Sequence, residues 1–251
     1  MSEPPISLFV MGANRWRHEH TWPLPGTEFV PFYLQSGGRA NTLAGDGALS
    51  SEPPGSRPAD TFDYDPADPV PTIGGNNSIL MLTQHAVSPV VSGPVDQRTI
   101  ERRDDVLCYT SAPLEADLEV TGPLEAVLYV ASSARDTDFA VRLSDVHLDG
   151  RALVLTEGVI RARYRHGYEQ VELLEPGEPT ELRIHMYPTS NLFGRGHRIR
   201  VDVTSSSFPR WSRNLNTGED VATGTRMVMA NQTVLHSSEY PSHVLLPVIP
   251  S

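Results

Sequence analysis

The chain has 251 residues, 39% of them hydrophobic, and a formal net charge of −11 from 20 basic and 31 acidic side chains. A fold of this length buries about 70–75% of its unfolded surface and needs no covalent staples. The single cysteine, Cys108, excludes an internal disulfide and a cysteine-based zinc cluster.

The acidic balance argues against a nucleic-acid surface. No apolar run reaches the ~18 residues expected of a membrane span. All 20 basic residues are arginine, which removes lysine nucleophiles and Schiff bases. The first residues carry no basic region followed by an apolar stretch, so no secretory signal is expected. With a lone thiol in an apolar run, the chain is expected in the cytoplasm.

In chain order, residues 6–10 read as a short buried strand that stops at Gly12. Residues 14–17 and 22–25 read as an extended, aromatic-pinned connector, and 29–34 as a second strand. From 36 to 71 the chain is rich in Gly, Pro, Ser and Asp, a surface excursion broken by one strand at 61–64. A second irregular stretch, 74–94, surrounds Ile79, Leu80, Met81 and Leu82.

Beyond it the punctuation becomes regular. Strands are predicted at about 105–109, 117–121, 124–131, 137–147, 152–165, 180–187, 197–206, 226–235 and 243–249, by alternation of apolar and polar residues. Asp149 and Gly150 mark a hairpin turn. Only 95–101 and 217–222 are compatible with helix. Many short strands with turn signals predict an all-β sandwich, and long connections favour a jelly-roll order over a meander.

Residues 197–218 organise this half. Ile199, Val201 and Val203 alternate with polar residues, then Ser205, Ser206 and Ser207 lead into Phe208, Pro209 and Trp211. Pro209 has no N–H for sheet pairing. Arg213, Asn214, Asn216 and Gly218 lie among turn formers. They predict a rigid structural loop, in which a guanidinium holds several carbonyls at once.

Candidate chemistry is thin. His18 and His20 share a face of an extended segment but lack a third ligand, so no metal site is predicted. Ser205, Ser206 and Ser207 have no Gly-x-Ser-x-Gly elbow and no base fixed by spacing, although His185, His197 and His236 are available. Asp63, Asp65 and Asp68 lack a calcium-loop pattern and read as turn caps, and Asp136 with Asp138 reads as a strand start paired to arginine. Arg161, Arg163 and Arg165 read as a stripe on one strand face, neutralised by the acidic excess.

The order of motifs is more specific than any one of them. It runs through Trp16 with Arg17, Trp22 with Pro23 and Pro25, and Tyr64, Asp65, Pro66 and Pro69. It continues with Gly74 and Gly75, then Gly93, Pro94, Asp96, Gln97 and Arg98, then Arg103, Asp105 and Tyr109. Asp136, Asp138 and Phe139 follow, then Gly158, Arg161 and Tyr164. Ser206, Phe208 and Pro209, then Arg213, Asn214, Asn216 and Gly218, close it. This succession resembles the C-terminal part of the X-Pro dipeptidyl-peptidase and acyl esterase family of serine hydrolases, which includes the cocaine esterases.

The resemblance implies a galactose-binding-like jelly-roll domain at 29–251. Residues 1–28 would be the linker and last strand segment of an α/β-hydrolase domain that carries the Ser, Asp and His and is absent from this chain. It implies no catalytic residue here, no cofactor and no metal, and an otherwise inactive chain that packs on the hydrolase domain and shapes an ester or peptide pocket. Leu80, Met81, Phe208 and Trp211 are the expected contacts with substrate or with that domain. The stretch 76–92 is longer than the family's usual connection. Exposure of the uncovered hydrolase-facing surface would favour a homodimer. The alternative is a stand-alone module binding a carbohydrate or another small ligand.

Overall fold

A computed structural model describes residues 4–76, 91–220 and 222–250. Thirteen strands run through these residues, and the fold is an all-β sandwich. β1 (Ile6–Val10) and β2 (Arg15–Glu19) form a separate hairpin. β3 (Glu28–Gln35), β4 (Ala48–Ser50) and β5 (Asp60–Tyr64) follow, then β6 (Leu107–Ser111), β7 (Leu118–Ser132), β8 (Asp138–Val146), β9 (Ala152–Arg161) and β10 (Thr180–Phe193). β11 (Arg198–Thr204), β12 (Ala230–Leu235) and β13 (His243–Ile249) complete the set.

β7 is the long spine. β10 pairs along one of its edges, while β12 and β13 share the other. The ladder continues from β13 through β3 and β4 to a second face ordered β6, β11, β8, β9. β4 and β6 run parallel, and the other ladders between these strands are antiparallel. The layers meet again where β9 passes β10. A Cβ on Gly158 would stand 2.7 Å from the His185 carbonyl oxygen, so a side chain at that position would push the two layers apart.

The core follows from the two-residue period of strands. β5 and β12 bury alternate residues, and Tyr109, Leu128, Phe139, Val141, Leu182, Ile184, Val201 and Val244 are fully buried between the layers. β8 differs, since all nine of its residues are buried. Phe139, Val141 and Leu143 face the sandwich core. Its outer face lies beneath the segments flanking 77–90, whose Val70, Ile73, Ile100 and Val106 pack with Cys108 in a second cluster. This added layer encloses side chains that would otherwise meet water.

Several expected boundaries change. Residues 15–19 form β2 instead of an unpaired connector, because Arg15 to Glu19 pair with β1. The strands expected at 117–121 and 124–131 are one strand, since Gly122 adopts φ +153° and carries the chain past Pro123, and the β10 ladder resumes on both sides of that point. β10 runs on to Phe193 across a bulge between Met186 and Thr189. The strand expected to 165 ends at Arg161, and Ala162–Tyr164 is a 3-10 turn. Arg161, Arg163 and Arg165 therefore form no stripe on a strand.

Neither helix-compatible window is helical: 98–102 are turns and 217–219 bends. Gln97 instead donates its side-chain amide to the Ile73 and Val95 carbonyls, locking an irregular path. Among the described residues no helix is long and apolar enough to cross a membrane.

Candidate functional site

The loop after β11 is held by an amide. Asn214 Nδ2 donates to Asp136 Oδ2 and Asp138 Oδ1, both at 2.8 Å, and Asn214 Oδ1 accepts the Asn216 N–H. Asn216, at φ +60°, donates its side-chain amide to the Val228 carbonyl. Arg161 forks onto Asp138 with two 2.9 Å contacts, and Arg163 pairs with Asp136 at 2.8 Å. Burial pushes the Asp138 carboxyl up, against the pull of Arg161.

Arg213, expected to hold several carbonyls, reaches one, that of Pro66, and lies over the Phe208 ring. Gly218 adopts φ +73°, which a side chain would strain. Arg165 pairs with Glu172, so each arginine of the supposed stripe has its own carboxylate.

Upstream, the same loop grips the strand-like segment that leads to 77–90. Phe208 N–H donates to the Val70 carbonyl, and Thr72 N–H donates to the Phe208 carbonyl at 2.7 Å. Ser206 Oγ accepts the Val70 N–H, while Ser207 Oγ meets Thr72 and Glu157. Gly75 and Gly93 exchange two 2.8 Å backbone bonds and pinch the base of the segment between them. Both adopt positive φ, and a Cβ on Gly75 would stand 3.1 Å from Glu157 Oε1.

Arg210 pairs with Glu157 at 3.0 Å and lies over the rings of Tyr187 and Trp211. Phe208 is 39% exposed and Trp211 half-buried, so both aromatics sit at the surface beside this mouth instead of closing the core. A groove of about 660 Å³ adjoins them, lined by Arg161, Tyr164, Tyr168, Arg183, Tyr187 and Trp211 among others. Leu80 and Met81 lie outside the described residues.

Beneath the added layer is a charge network. Arg142 lies 3.5 Å from Glu157 and 3.9 Å from Asp202, and Arg200 pairs with Glu101 at 2.7 Å. Burial, with the neighbouring Asp202 charge, outweighs Arg200 and pushes the Glu101 carboxyl up to about 8. Burial likewise raises Asp202, against Arg142 and Arg200. Cys108 is buried and free, and burial raises its thiol far above the ordinary value, which makes a thiolate nucleophile there unfavourable.

Among the described residues, no serine of the 205–207 run hydrogen-bonds a histidine: Ser206 and Ser207 are engaged as above, and buried Ser205 Oγ finds no partner. A Ser, His and Asp do meet elsewhere. Ser36, His236 and Asp60 are buried together. Ser36 Oγ lies 3.1 Å from His236 Nε2 and donates to Asp60 Oδ2 at 2.7 Å. His236 Nε2 also lies 2.8 Å from Asp60 Oδ2, and Tyr109 OH donates to the same oxygen.

A nucleophile–base–acid relay needs the serine and the acid on opposite ring nitrogens. Here both use Nε2, and Nδ1 has no partner among the described residues, so the group is a sealed core network. Burial opposes ionisation of Asp60, yet bonds from His236, the Ala40 N–H, Ser36 and Tyr109 hold its carboxyl below the usual range.

The expected weak sites resolve into ordinary contacts. His18 Nδ1 meets Ser7 Oγ. Asp65 accepts the Ala67 N–H as a turn cap, Asp68 pairs with Arg103, and Asp63 accepts an Asn231 amide. One grouping that sequence spacing did not raise is Asp145, His147 and His197, whose ligand atoms lie within 4.8 Å of one another. Asp145 and His147 are two residues apart at the end of β8, and His197 immediately precedes β11, opposite them.

A family profile described as the X-Pro dipeptidyl-peptidase C-terminal non-catalytic domain matches residues 1–245. The chain belongs to this family. It is 48% identical over 248 residues to a cocaine esterase of Rhodococcus sp. (strain MB1 Bresler), covering 98% of this chain and 42% of that relative. Among solved structures, an aminopeptidase from a marine-sediment Thaumarchaeota archaeon superposes with a TM-score of 0.86 at 28% identity, over 100% of this chain and 41% of that one. An α-amino acid ester hydrolase superposes with a TM-score of 0.84, also at 28% identity, over 98% of this chain and 41% of its own. The chain thus spans about two-fifths of the length of these relatives.

Proposed function

We propose that this chain is the noncatalytic C-terminal sandwich of a serine hydrolase of the X-Pro dipeptidyl-peptidase and acyl esterase type. In this reading it packs on an α/β-hydrolase domain outside these residues and helps wall the ester or peptide pocket. The observation that carries it is the family match from end to end, with 42% coverage of an esterase. Residues 29–251 are the galactose-binding-like jelly roll, and 1–28 the last hydrolase strand and linker. A cytoplasmic setting belongs to the same reading.

Two surfaces suit the role. The β1–β2 hairpin presents Phe9, 42% exposed, and Trp16, 65% exposed, in edge-to-face contact. The second is the mouth framed by Gly75, Gly93, Phe208 and Trp211, beside which Leu80 and Met81, outside the described residues, are proposed as further apolar contacts with substrate or with the neighbouring domain. Whole-enzyme chemistry would be acyl transfer to a hydrolase-domain serine, then to water. The sandwich would add shape, water exclusion and apolar contact.

The test is a chimera in which this chain replaces the matching segment of the Rhodococcus esterase. It should hydrolyse a nitrophenyl acyl ester, and L80A with M81A should raise KM several-fold. Stoichiometric fluorophosphonate labelling of the 251-residue chain alone would overturn the reading. A second reading, a carbohydrate or small-ligand module, is favoured by the aromatic and arginine lining of the 660 Å³ groove. It predicts that a sugar raises the melting temperature of the chain by itself.

A further inference from the structure

We propose that Asp145, His147 and His197 form a binding site for a divalent transition-metal ion of the zinc class, independent of any hydrolase partner. The placement follows from strand geometry. Residues two apart in a strand share a face, so Asp145 and His147 point the same way. The antiparallel register sets Ile199 opposite Asp145 and Arg198 opposite Val146. His197 therefore falls opposite His147 and on the same face as Ile199, at the open end of the core.

The donors are a carboxylate and two imidazoles, a set that suits zinc, copper, nickel or iron more than calcium or magnesium. His197 Nδ1 lies 2.8 Å from Asp145 Oδ1, and His147 Nε2 lies 3.8 Å from Asp145 Oδ2. The ring centroids are 4.4 Å apart. Zinc bonds of about 2.0–2.2 Å place tetrahedral ligands about 3.3 Å apart. The three ligand atoms lie within 4.8 Å of one another, close enough for side-chain rotation to bring them to that spacing.

Two further observations favour an ion over a plain hydrogen-bonded pair. Asp145 is nearly buried, a position that calls for a strong positive partner. Asn191 from the facing layer reaches its Oδ2 at 3.5 Å, a supporting contact of the kind that orients metal-bound carboxylates. The histidine side chains are 30% and 19% exposed, so an ion can reach them. They line a cavity of about 720 Å³ with Phe9, Met11 and Asn14, where the continuation of β1 meets β10. With three protein ligands, the fourth position faces this cavity and takes water. An ion here would tie the end of β8 to the start of β11, under the junction with the hairpin.

The experiment is calorimetric titration of the chelator-stripped 251-residue chain with Zn²⁺, beside a visible spectrum with Co²⁺. One equivalent should bind, and Co²⁺ should show the intense bands of four-coordinate geometry, bleached by Zn²⁺. His147→Ala, at a partly exposed position, should weaken binding by more than about tenfold, the least that loss of a supporting partner costs. His18→Ala with His20→Ala should leave it unchanged. Absence of binding, an octahedral Co²⁺ spectrum in the unaltered chain, or uptake unchanged by His147→Ala would each overturn the proposal.

Discussion

At the scale of single residues, the consequential feature is charge taken out of water. Asp136, Asp138, Arg161 and Arg163 satisfy one another around Asn214. Glu101 and Asp202 are less well balanced. Among the described residues, Asp202 meets only the weak Cys108 thiol as a hydrogen-bond donor and one Glu101 oxygen finds no partner, and a buried charge left so costs several kcal/mol, on the order of 1–3 even for a neutral group.

The Glu101 carboxyl is raised from 4.5 to about 8 by burial and by Asp202. Between those values the folded chain holds a proton that the unfolded chain has released. Stability from this group is therefore complete below 4.5 and is lost as pH rises through about 8. Urea midpoints measured from about pH 5 to pH 9 should fall, and Glu101→Gln, which keeps a neutral amide in place, should make the fall shallower. Identical slopes would remove Glu101 as the cause. Asp202 and Asp138, raised in the same direction, contribute a slope of the same sign.

At the scale of elements, the attachment of the β1–β2 hairpin is narrow. Its backbone bonds to the sandwich run through Met11, whose N–H donates to the Ser190 carbonyl and whose carbonyl accepts the Leu192 N–H, beside the Arg17–Glu119 ion pair to β7. Gly12 follows at φ +76°, and a Cβ there would stand 2.1 Å from the Leu192 oxygen. Gly12→Ala therefore meets both a backbone strain and a backbone clash. It should cost more than about 1 kcal/mol and loosen the hairpin selectively. Hydrogen exchange should rise at residues 6–19 and stay unchanged in β7 and β8. A uniform rise would mean that the hairpin and sandwich unfold as one unit.

At the scale of the whole molecule, the exposed hairpin is a large apolar feature of a strongly acidic chain. Phe9 and Trp16 stack outward instead of into the sandwich, as expected of a face that another domain covers. Without that domain, two copies should meet through it. Sedimentation should give a concentration-dependent dimer, and Trp16→Arg should weaken it by about tenfold or more, as loss of a central aromatic contact does. A monomer at all concentrations would overturn the dimer.

The class of the fold and most strand positions were legible because alternation and turn residues are local, written within five to ten neighbouring positions. The order of motifs likewise carried the family. The structural loop was legible as Arg213, Asn214, Asn216 and Gly218, though its centre is the Asn214 amide. Spacing alone suggested arginine, and the partners Asp136 and Asp138 come from the start of β8, far away in sequence. Leu80 and Met81 stay where sequence left them.

What only the tertiary structure decided is which distant residues share a face. The pinch of Gly75 on Gly93, the Ser36, His236 and Asp60 network and the meeting of Asp145 and His147 with His197 all join separated segments. Strand register brings them together, and a shift of one residue would turn each side chain to the opposite face. No pattern along the chain encodes that choice; the packing of two layers against a common core does.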